Sequence, residues 1–174
     1  GSIGAVVITW LCSMTGAAFG VPEDYTDRQL LFGLVWFVLA AGVAAAVWWR
    51  TSHPVVVCLT TAALGILTPL GAVAPLIALP WVVARSDLLR SVCCGGLTAL
   101  ALAATFWRDA RRDGENVIFS LSSEGAHSYM TPLGYTILGV MALAIAVGAG
   151  LLRRNVARAR ADAEAAATAA QASP

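Results

Sequence analysis

The sequence predicts an all-α protein: a polytopic bundle of about six transmembrane helical segments, with the last helix extending into a cytoplasmic signalling helix. Three observations predict this fold class. Of the 174 residues, 59% are apolar and only 12% are charged, and the mean hydropathy is +0.77. A soluble domain is usually about 45–50% apolar and about 25% charged. These figures exclude a soluble globule, a disordered chain and a disulfide-stapled secreted domain.

The first two segments are uncharged runs near the start of the chain. Residues 3–19 form a run that is short for a span and lacks the basic start of a signal peptide. Gly1 and Ser2 are typical of a cloning remnant, so we expect a chain that is cut at both ends. Residues 30–49 form the second run, which matches the length of about 20 apolar residues that a span needs.

A helical hairpin is predicted for residues 54–84. One uncharged helix over 55–84 would be about 45 Å long, which exceeds the thickness of an ordinary membrane. Pro69, Gly71 and Pro75 interrupt the run, so we expect two helices, over 54–68 and 71–84. Both arms are short, and a thinned membrane or a re-entrant pair would accommodate them equally well.

The second half of the chain contains two further spans, a loop and a tail. Residues 88–107 and 133–152 are apolar apart from Arg90, and each is long enough for one span. Residues 108–131 between them form a water-facing loop that is too short for an independent domain. Residues 153–174 are rich in Ala, Arg, Asp and Glu, so we expect the last span to continue beyond the membrane as a helical rod.

The distribution of arginine predicts which side faces the cytoplasm. One set comprises Arg50, Arg85, Arg90, Arg153, Arg154, Arg158 and Arg160. The other set comprises Arg28, Arg108, Arg111 and Arg112. Because cytoplasmic loops carry the excess of basic residues, we expect the first set and both termini to be cytoplasmic. The prediction is a multi-pass protein of a bacterial plasma membrane, with 1–152 as the membrane domain and 153–174 as the start of a cytoplasmic linker helix.

The sequence contains no recognisable catalytic or metal-binding constellation. The four cysteines lie in apolar runs without the spacing of a zinc site, and the two histidines fall on opposite predicted sides of the membrane. Almost no ionisable side chain falls within the predicted spans, which argues against an ion-coupled transporter. The net charge of +1 gives no reason to expect a nucleic-acid partner.

Candidate sensing residues lie in the predicted outer loops. His127, Tyr129 and Met130 immediately precede the last span, and Tyr25 lies in the first outer loop. His, Tyr and Met are residue types that ligate haem iron, so haem is a candidate cofactor at His127 or Tyr129. The simpler interpretation is a polar loop with a tyrosine at the membrane interface, and no metal or cofactor is firmly predicted.

Three short motifs carry a family resemblance. They are the Trp49-Arg50-x-x-His53-Pro54 junction, the stretch 131–135 that opens the last span, and Gly-Leu-Leu-Arg-Arg at 150–154. Together with the order of segments, they resemble the N-terminal membrane sensor region of actinobacterial two-component sensor histidine kinases of the NarL-partner type. The resemblance covers nearly the whole chain and concerns layout more than invariant residues.

The resemblance implies a function in signal input. Residues 1–152 would sense a membrane or extracellular stimulus, such as haem or envelope stress, and the last helix would transmit it through Gly148, Gly150, Arg153 and Arg154. The family dimerises through this helix and its rod, and passes the signal to a response regulator through a kinase core. That core would follow residue 174, so this stretch of chain would not itself be an enzyme. The lipid bilayer would be its other partner.

A second class of function is compatible with the same composition. A small integral membrane transporter or channel, or an accessory subunit of a membrane complex, would need no downstream domain. The codons that follow Pro174 in the native gene discriminate between the two, because a histidine-kinase dimerisation motif there would exclude the second class.

Overall fold

The computed structural model describes residues 2–18, 27–111, 120–123, 126–129 and 131–171. Its helices are α1 (Ser2–Ala18), α2 (Asp27–Trp48), α3 (Pro54–Leu67), α4 (Val73–Arg85), α5 (Leu88–Ala110) and α6 (Pro132–Gln171). A 3-10 turn, Trp49–Thr51, follows α2, and two short strands, β1 (Ser120–Ser123) and β2 (Ala126–Tyr129), lie between α5 and α6. Most of the described residues are thus helical, as the sequence predicts.

Fewer helices are long enough to cross a membrane than the sequence analysis predicted. Among the described residues, three stretches have the length and hydropathy of a span: Gly33–Thr51, Leu88–Ala110 and Pro132–Gln171. The prediction of six spans is therefore not met by this criterion, because α1, α3 and α4 are shorter apolar helices. The 13 residues of α4 rise only about 20 Å, against about 30 Å of hydrocarbon.

The turn between α3 and α4 explains why these two helices are short. Gly71 has a φ of +80°, a left-handed conformation that favours glycine and that closes the turn after α3. The turn lies so close to α3 that a Cβ on Gly65 would be 2.7 Å from the carbonyl oxygen of Gly71. Pro54 occupies the start of α3, where the missing N–H costs nothing. The predicted hairpin is therefore present. Its second helix begins at Val73, two residues later than the predicted start at position 71.

The short helix α4 lies at the centre of the bundle. It packs most extensively on α6 and α3, and it also contacts α5, α1 and α2. Ala78, Leu79 and Val82 on α4 are fully buried in the main apolar cluster. At the closest approach of α4 and α6, a Cβ on Gly150 would be 2.6 Å from Cβ of Val83. Close helix packing through small residues fits a bundle with so much alanine.

The two ends of the bundle differ in the charged residues that they contain. The junction end contains Arg108, Asp109 and Tyr135, where α5 ends and α6 begins. The arginine end contains Arg50, Arg85 and Arg153, where the 3-10 turn, α4 and α6 meet.

The segment between α5 and α6 departs from the predicted loop 108–131 in two ways. The helix α5 continues to Ala110, so Arg108 and Asp109 are helical rather than part of a water-facing loop. The strands β1 and β2 pair antiparallel, with Ser120 opposite Tyr129 and Ser122 opposite His127. This hairpin was not predicted, because its strands are four residues long and rich in serine, which gives no alternating apolar pattern.

The last helix is one continuous element of 40 residues, which corresponds to about 60 Å. Its first half packs in the bundle, and every residue from 155 to 171 is exposed. Alanine dominates the rod 155–171 and has the highest helix propensity, which favours a helix although every residue of the rod is exposed.

Candidate functional site

A buried carboxylate and a buried tyrosine form the centre of the candidate site at the junction end. Asp109, in the last turn of α5, is 2% exposed, and Tyr135, in the first turn of α6, is 5% exposed. The Tyr135 hydroxyl donates a hydrogen bond of 2.7 Å to Oδ2 of Asp109. A carboxylate loses hydration when it is buried, and this bond compensates part of that cost. The bond also fixes the end of one candidate span to the start of the next.

The position of Asp109 on α5 explains its burial. The inward face of this helix runs through Cys94, Thr98 and Ala101, all buried, and Asp109 falls on the same face two turns later. The predicted span 88–107 stops at Trp107, where charged residues follow, and the predicted water-facing loop includes Asp109. Helical periodicity extended past Trp107 would have identified Asp109 as an inward-facing residue.

The neighbouring Arg108 closes the end of another helix. Its guanidinium donates hydrogen bonds to the carbonyl oxygens of Gly65 at 3.0 Å and Thr68 at 2.7 Å, and to that of Ile66. The last carbonyls of an α-helix have no partner within the helix, and a cation is favourable at that negative end. Arg108 therefore fastens the α3–α4 turn to the end of α5.

An aromatic residue divides the space around this site. Phe106 lies beside Tyr135, with ring centroids 5.3 Å apart and planes tilted by 37°. It also faces Gly139 on α6, where a Cβ would be 3.1 Å from the Phe106 ring. Phe106 thus occupies the space that a larger residue at position 139 would take, and it contributes to two cavities.

The first cavity lies between α5 and α6 and has a volume of about 360 Å³. Its walls are almost entirely apolar and include Leu102, Phe106, Trp107, Tyr135, Gly139 and Leu143. The second cavity, of about 290 Å³, lies between α1, the α3–α4 turn and α5. Its walls include Cys12, Gly71, Leu76, Phe106, Arg108 and Asp109. Cavities of this size hold small molecules or a segment of an acyl chain, with a few polar groups to orient them.

Three of the predicted sensing residues, His127, Tyr129 and Met130, come shortly before Tyr135 in the chain, and the side chains of all four lie outside the described part of the structure. His127 and Tyr129 are on β2, where their backbones pair with β1, and their side chains lie outside the described residues. Met130 and Tyr25 also lie outside the described residues. Within the described part of the chain, no group of three or more metal-binding side chains occurs. Haem ligation by His127 or Tyr129 stays a prediction.

The predicted transmitting residues lie at the other end of the packed part of α6. Gly148 faces open space, whereas Gly150 lies against Val83 and the carbonyl oxygen of Pro80. Arg153 stacks on the ring of Trp81, and Arg154 is half-buried. Gly150 and Arg153 thus contact α4, whereas Gly148 is exposed, and the role of all four residues in transmission stays a prediction.

Comparisons with known families, curated proteins and solved structures find no match for this chain.

Proposed function

We propose that this chain is the membrane-embedded signal-input region of a two-component sensor histidine kinase. The observation that carries the proposal is the continuity of α6, which begins at the Asp109–Tyr135 hydrogen bond and continues without a break into the exposed rod. A helix of 40 residues is stiff enough to move as one body, so a displacement of its first turn also moves the rod at its other end. The exposed rod is then the part that a following domain would use.

The proposed mechanism has two states of the junction end. In one state Tyr135 is bonded to Asp109 and Phe106 fills the space beside Gly139. An apolar stimulus in the cavity between α5 and α6 would displace Phe106 or Tyr135 and move the start of α6. The close contact of Gly150 with Val83 would then act as the pivot for the rod. A ligand shifts such an equilibrium only by the difference in its affinity for the two states.

The topology and the partners belong to the same proposal. The proposal keeps six membrane segments by counting the three shorter apolar helices with the three candidate spans. The excess of arginine at the arginine end favours an orientation with that end and both termini in the cytoplasm. We expect a homodimer through α6 and its rod, and a response regulator reached through a kinase core that follows the rod. The chain itself would then be no enzyme, and haem or envelope stress are the candidate stimuli.

The two glycines near the end of the packed part of α6 provide a matched test in the full-length protein. Gly150→Leu places a side chain where Val83 already lies, and we expect it to abolish the stimulus-dependent change in autophosphorylation. Gly148→Leu adds the same side chain in open space and is expected to leave that change intact. Equal behaviour of the two variants would contradict α6 as the transmitter.

The reading frame of the native gene provides a second and simpler test. A stretch resembling Glu-Leu-His-Asp within the codons that follow the rod would supply the phospho-accepting histidine of a kinase. A stop codon near position 174 would exclude the kinase proposal and leave the second candidate function.

The second candidate is a small transporter or channel, or an accessory subunit, and one observation favours it. Asp109 is a buried carboxylate that lines a cavity, which is an arrangement found in proton-coupled transporters. If it acted in that way, proteoliposomes with the wild-type protein would carry a proton flux and Asp109→Asn would abolish it. A stimulus-dependent kinase without any such flux would favour the sensor.

A further inference from the structure

Three arginines from three different elements converge at the arginine end. Arg50 lies in the 3-10 turn after α2, Arg85 ends α4, and Arg153 lies on α6 just after the packed part. Arg85 donates a hydrogen bond to the carbonyl oxygen of Thr51, which ties α4 to the 3-10 turn. Arg50 is 6% exposed and donates to the carbonyl oxygen of Val47 at 3.1 Å.

Two of these arginines, Arg85 and Arg153, stack on the indole ring of Trp81. The guanidinium carbon of Arg153 lies 4.2 Å from the centroid of Trp81, and that of Arg85 lies 5.2 Å from it. Arg50 and Arg153 are close enough for their charges to repel each other. Stacking on an aromatic face stabilises a guanidinium and leaves its N–H groups at the edge available to an acceptor.

The positive charge of this cluster has no carboxylate partner among the described residues. Asp87, at the same end of the bundle, is exposed and forms no ion pair with Arg50, Arg85 or Arg153. Arg50 and Arg153 carry like charges that repel each other, and a bound anion would offset this repulsion. The cluster is therefore suited to an anion that the described residues do not provide.

We propose that Arg50, Arg85 and Arg153 bind the phosphate group of an anionic phospholipid. Guanidinium groups recognise phosphate through paired N–H donors, and several of them can share its oxygens. A lipid is the favoured source because the cluster adjoins exposed apolar side chains: Trp48 and Trp49 are more than half exposed, and Leu152 is 65% exposed. Tryptophan lies preferentially at the level of lipid headgroups, where the phosphate is found.

A phosphate bound by the cluster would link α6 to α4 and to the turn after α2. Arg153 is on α6, whereas Arg50 and Arg85 are on the turn after α2 and on α4. One phosphate between them would hold α6, just beyond its packed part, to the rest of the bundle. The lipid composition of the membrane would therefore set how freely the rod moves, whatever domain follows it.

Native mass spectrometry of the purified chain in a zwitterionic detergent tests the proposal. We expect the wild-type protein to bind phosphatidylglycerol more tightly than phosphatidylcholine. Each basic residue at a membrane surface contributes about fivefold to the binding of an anionic lipid, so Arg153→Gln should lower the affinity for phosphatidylglycerol by about that factor. Arg153→Lys keeps the charge without the paired donors, so its affinity for phosphatidylglycerol should lie between those of the wild type and Arg153→Gln. The exposed position of Arg153 allows these variants to fold even if Arg50→Gln does not.

The matched control is Arg90→Gln, which removes an equally exposed arginine near the start of α5, at the same end of the bundle. We expect this variant to keep the wild-type affinity for phosphatidylglycerol. Equal losses in Arg90→Gln and Arg153→Gln would overturn the proposal and indicate non-specific charge attraction. The absence of any preference for phosphatidylglycerol would also overturn it.

A second arm identifies the source of the phosphate. Inorganic phosphate, added to the detergent-solubilised protein, should neither raise the melting temperature nor displace bound phosphatidylglycerol, because it lacks the acyl chains that lie against the exposed apolar surface. A rise in melting temperature with inorganic phosphate that is lost in Arg153→Gln would assign the cluster to a soluble phosphate and overturn the lipid assignment.

Discussion

The junction end and the arginine end both contain a buried ionisable side chain, but they stabilise it differently. At the junction end, Asp109 accepts a hydrogen bond from Tyr135, and Arg108 donates to the carbonyl oxygens that end α3. At the arginine end, Arg50 donates to the carbonyl oxygen of Val47 one turn earlier in the chain, Arg85 donates to that of Thr51, and Arg85 and Arg153 stack on Trp81. Several hydrogen bonds between elements therefore hold the junction end, whereas the arginine end has one such bond, from Arg85 to Thr51, and α6 is held there by the weaker stacking of Arg153 on Trp81.

This difference predicts that the two ends contribute unequally to stability. Hydrogen bonds to charged groups contribute about 1.5–3 kcal/mol each, whereas a cation–π contact at an exposed site contributes about 0.5–1 kcal/mol. Substitutions at the junction end should therefore lower the free energy of unfolding more than those at the arginine end. The arginine end holds α6 less firmly, so the proposed lipid phosphate would add more to the hold on α6 there than at the junction end.

The largest effect is expected for Arg108→Ala. The carbonyls of Gly65, Ile66 and Thr68 would lose a charged donor together, and the α3–α4 turn would lose its attachment to α5. We expect the free energy of unfolding to fall by about 3 kcal/mol or more, measured by chemical unfolding in detergent. Arg111→Ala is the control, since Arg111 is exposed and stacks on Trp107 at 4.2 Å, and its loss should cost about 1 kcal/mol or less. Similar losses in both variants would contradict the capping role of Arg108.

Much of the helical layout could be predicted from the sequence, because membrane helices are uncharged runs of a length that the bilayer sets. The boundaries of α3 are an example, since Pro54 begins the helix and the Pro69–Gly71 turn ends it. Six segments were predicted from hydropathy, whereas three described stretches have the length of a span, because α1, α3 and α4 are apolar but short. The short hairpin of β1 and β2 left no periodic signal.

The candidate site could be predicted only in part, because it depends on contacts between residues that are far apart in the chain. Arg108 meets carbonyls more than 40 positions away, and Tyr135 lies 26 positions from Asp109. A charge at the end of an apolar run was interpreted as the start of a loop, whereas Asp109 continues the buried face of α5. The predicted sensing residues His127 and Tyr129 are near the site in sequence, and their role is still a prediction.

The second effect concerns the bond between α5 and α6. Tyr135→Phe removes only the hydroxyl, so the buried carboxylate of Asp109 loses one of its donors. The expected decrease in the free energy of unfolding is about 1.5–3 kcal/mol. Thr136→Val is a control at the next position, because Thr136 is exposed and bonds only to its own helix through the carbonyl of Pro132. Equal effects of the two substitutions would show that the Asp109–Tyr135 hydrogen bond does not stabilise the packing of α5 on α6.

The third effect has opposite signs at two neighbouring glycines. Gly150→Ala places a Cβ 2.6 Å from that of Val83 and 3.0 Å from the carbonyl oxygen of Pro80, so α4 and α6 must move apart, at a cost of about 1–3 kcal/mol. Gly148→Ala meets nothing within 4 Å and should stabilise the helix by about 0.5–1 kcal/mol. Thermal unfolding followed by circular dichroism measures both. A stabilising Gly150→Ala would show that α6 does not pack on α4 at this point.

The smallest effect is expected at the arginine end, where Trp81 supports Arg85 and Arg153. Trp81→Leu removes both stacking contacts, and the expected loss in zwitterionic detergent is about 1 kcal/mol. Trp81→Phe keeps an aromatic face and should lose less, whereas Trp49→Leu changes an exposed tryptophan at the same end and should lose least. A loss at Trp81 as large as that of Arg108→Ala would mean that the two ends are held equally firmly. The arginine end would then be a fixed part of the core, and a bound phosphate could not add much to its hold on α6.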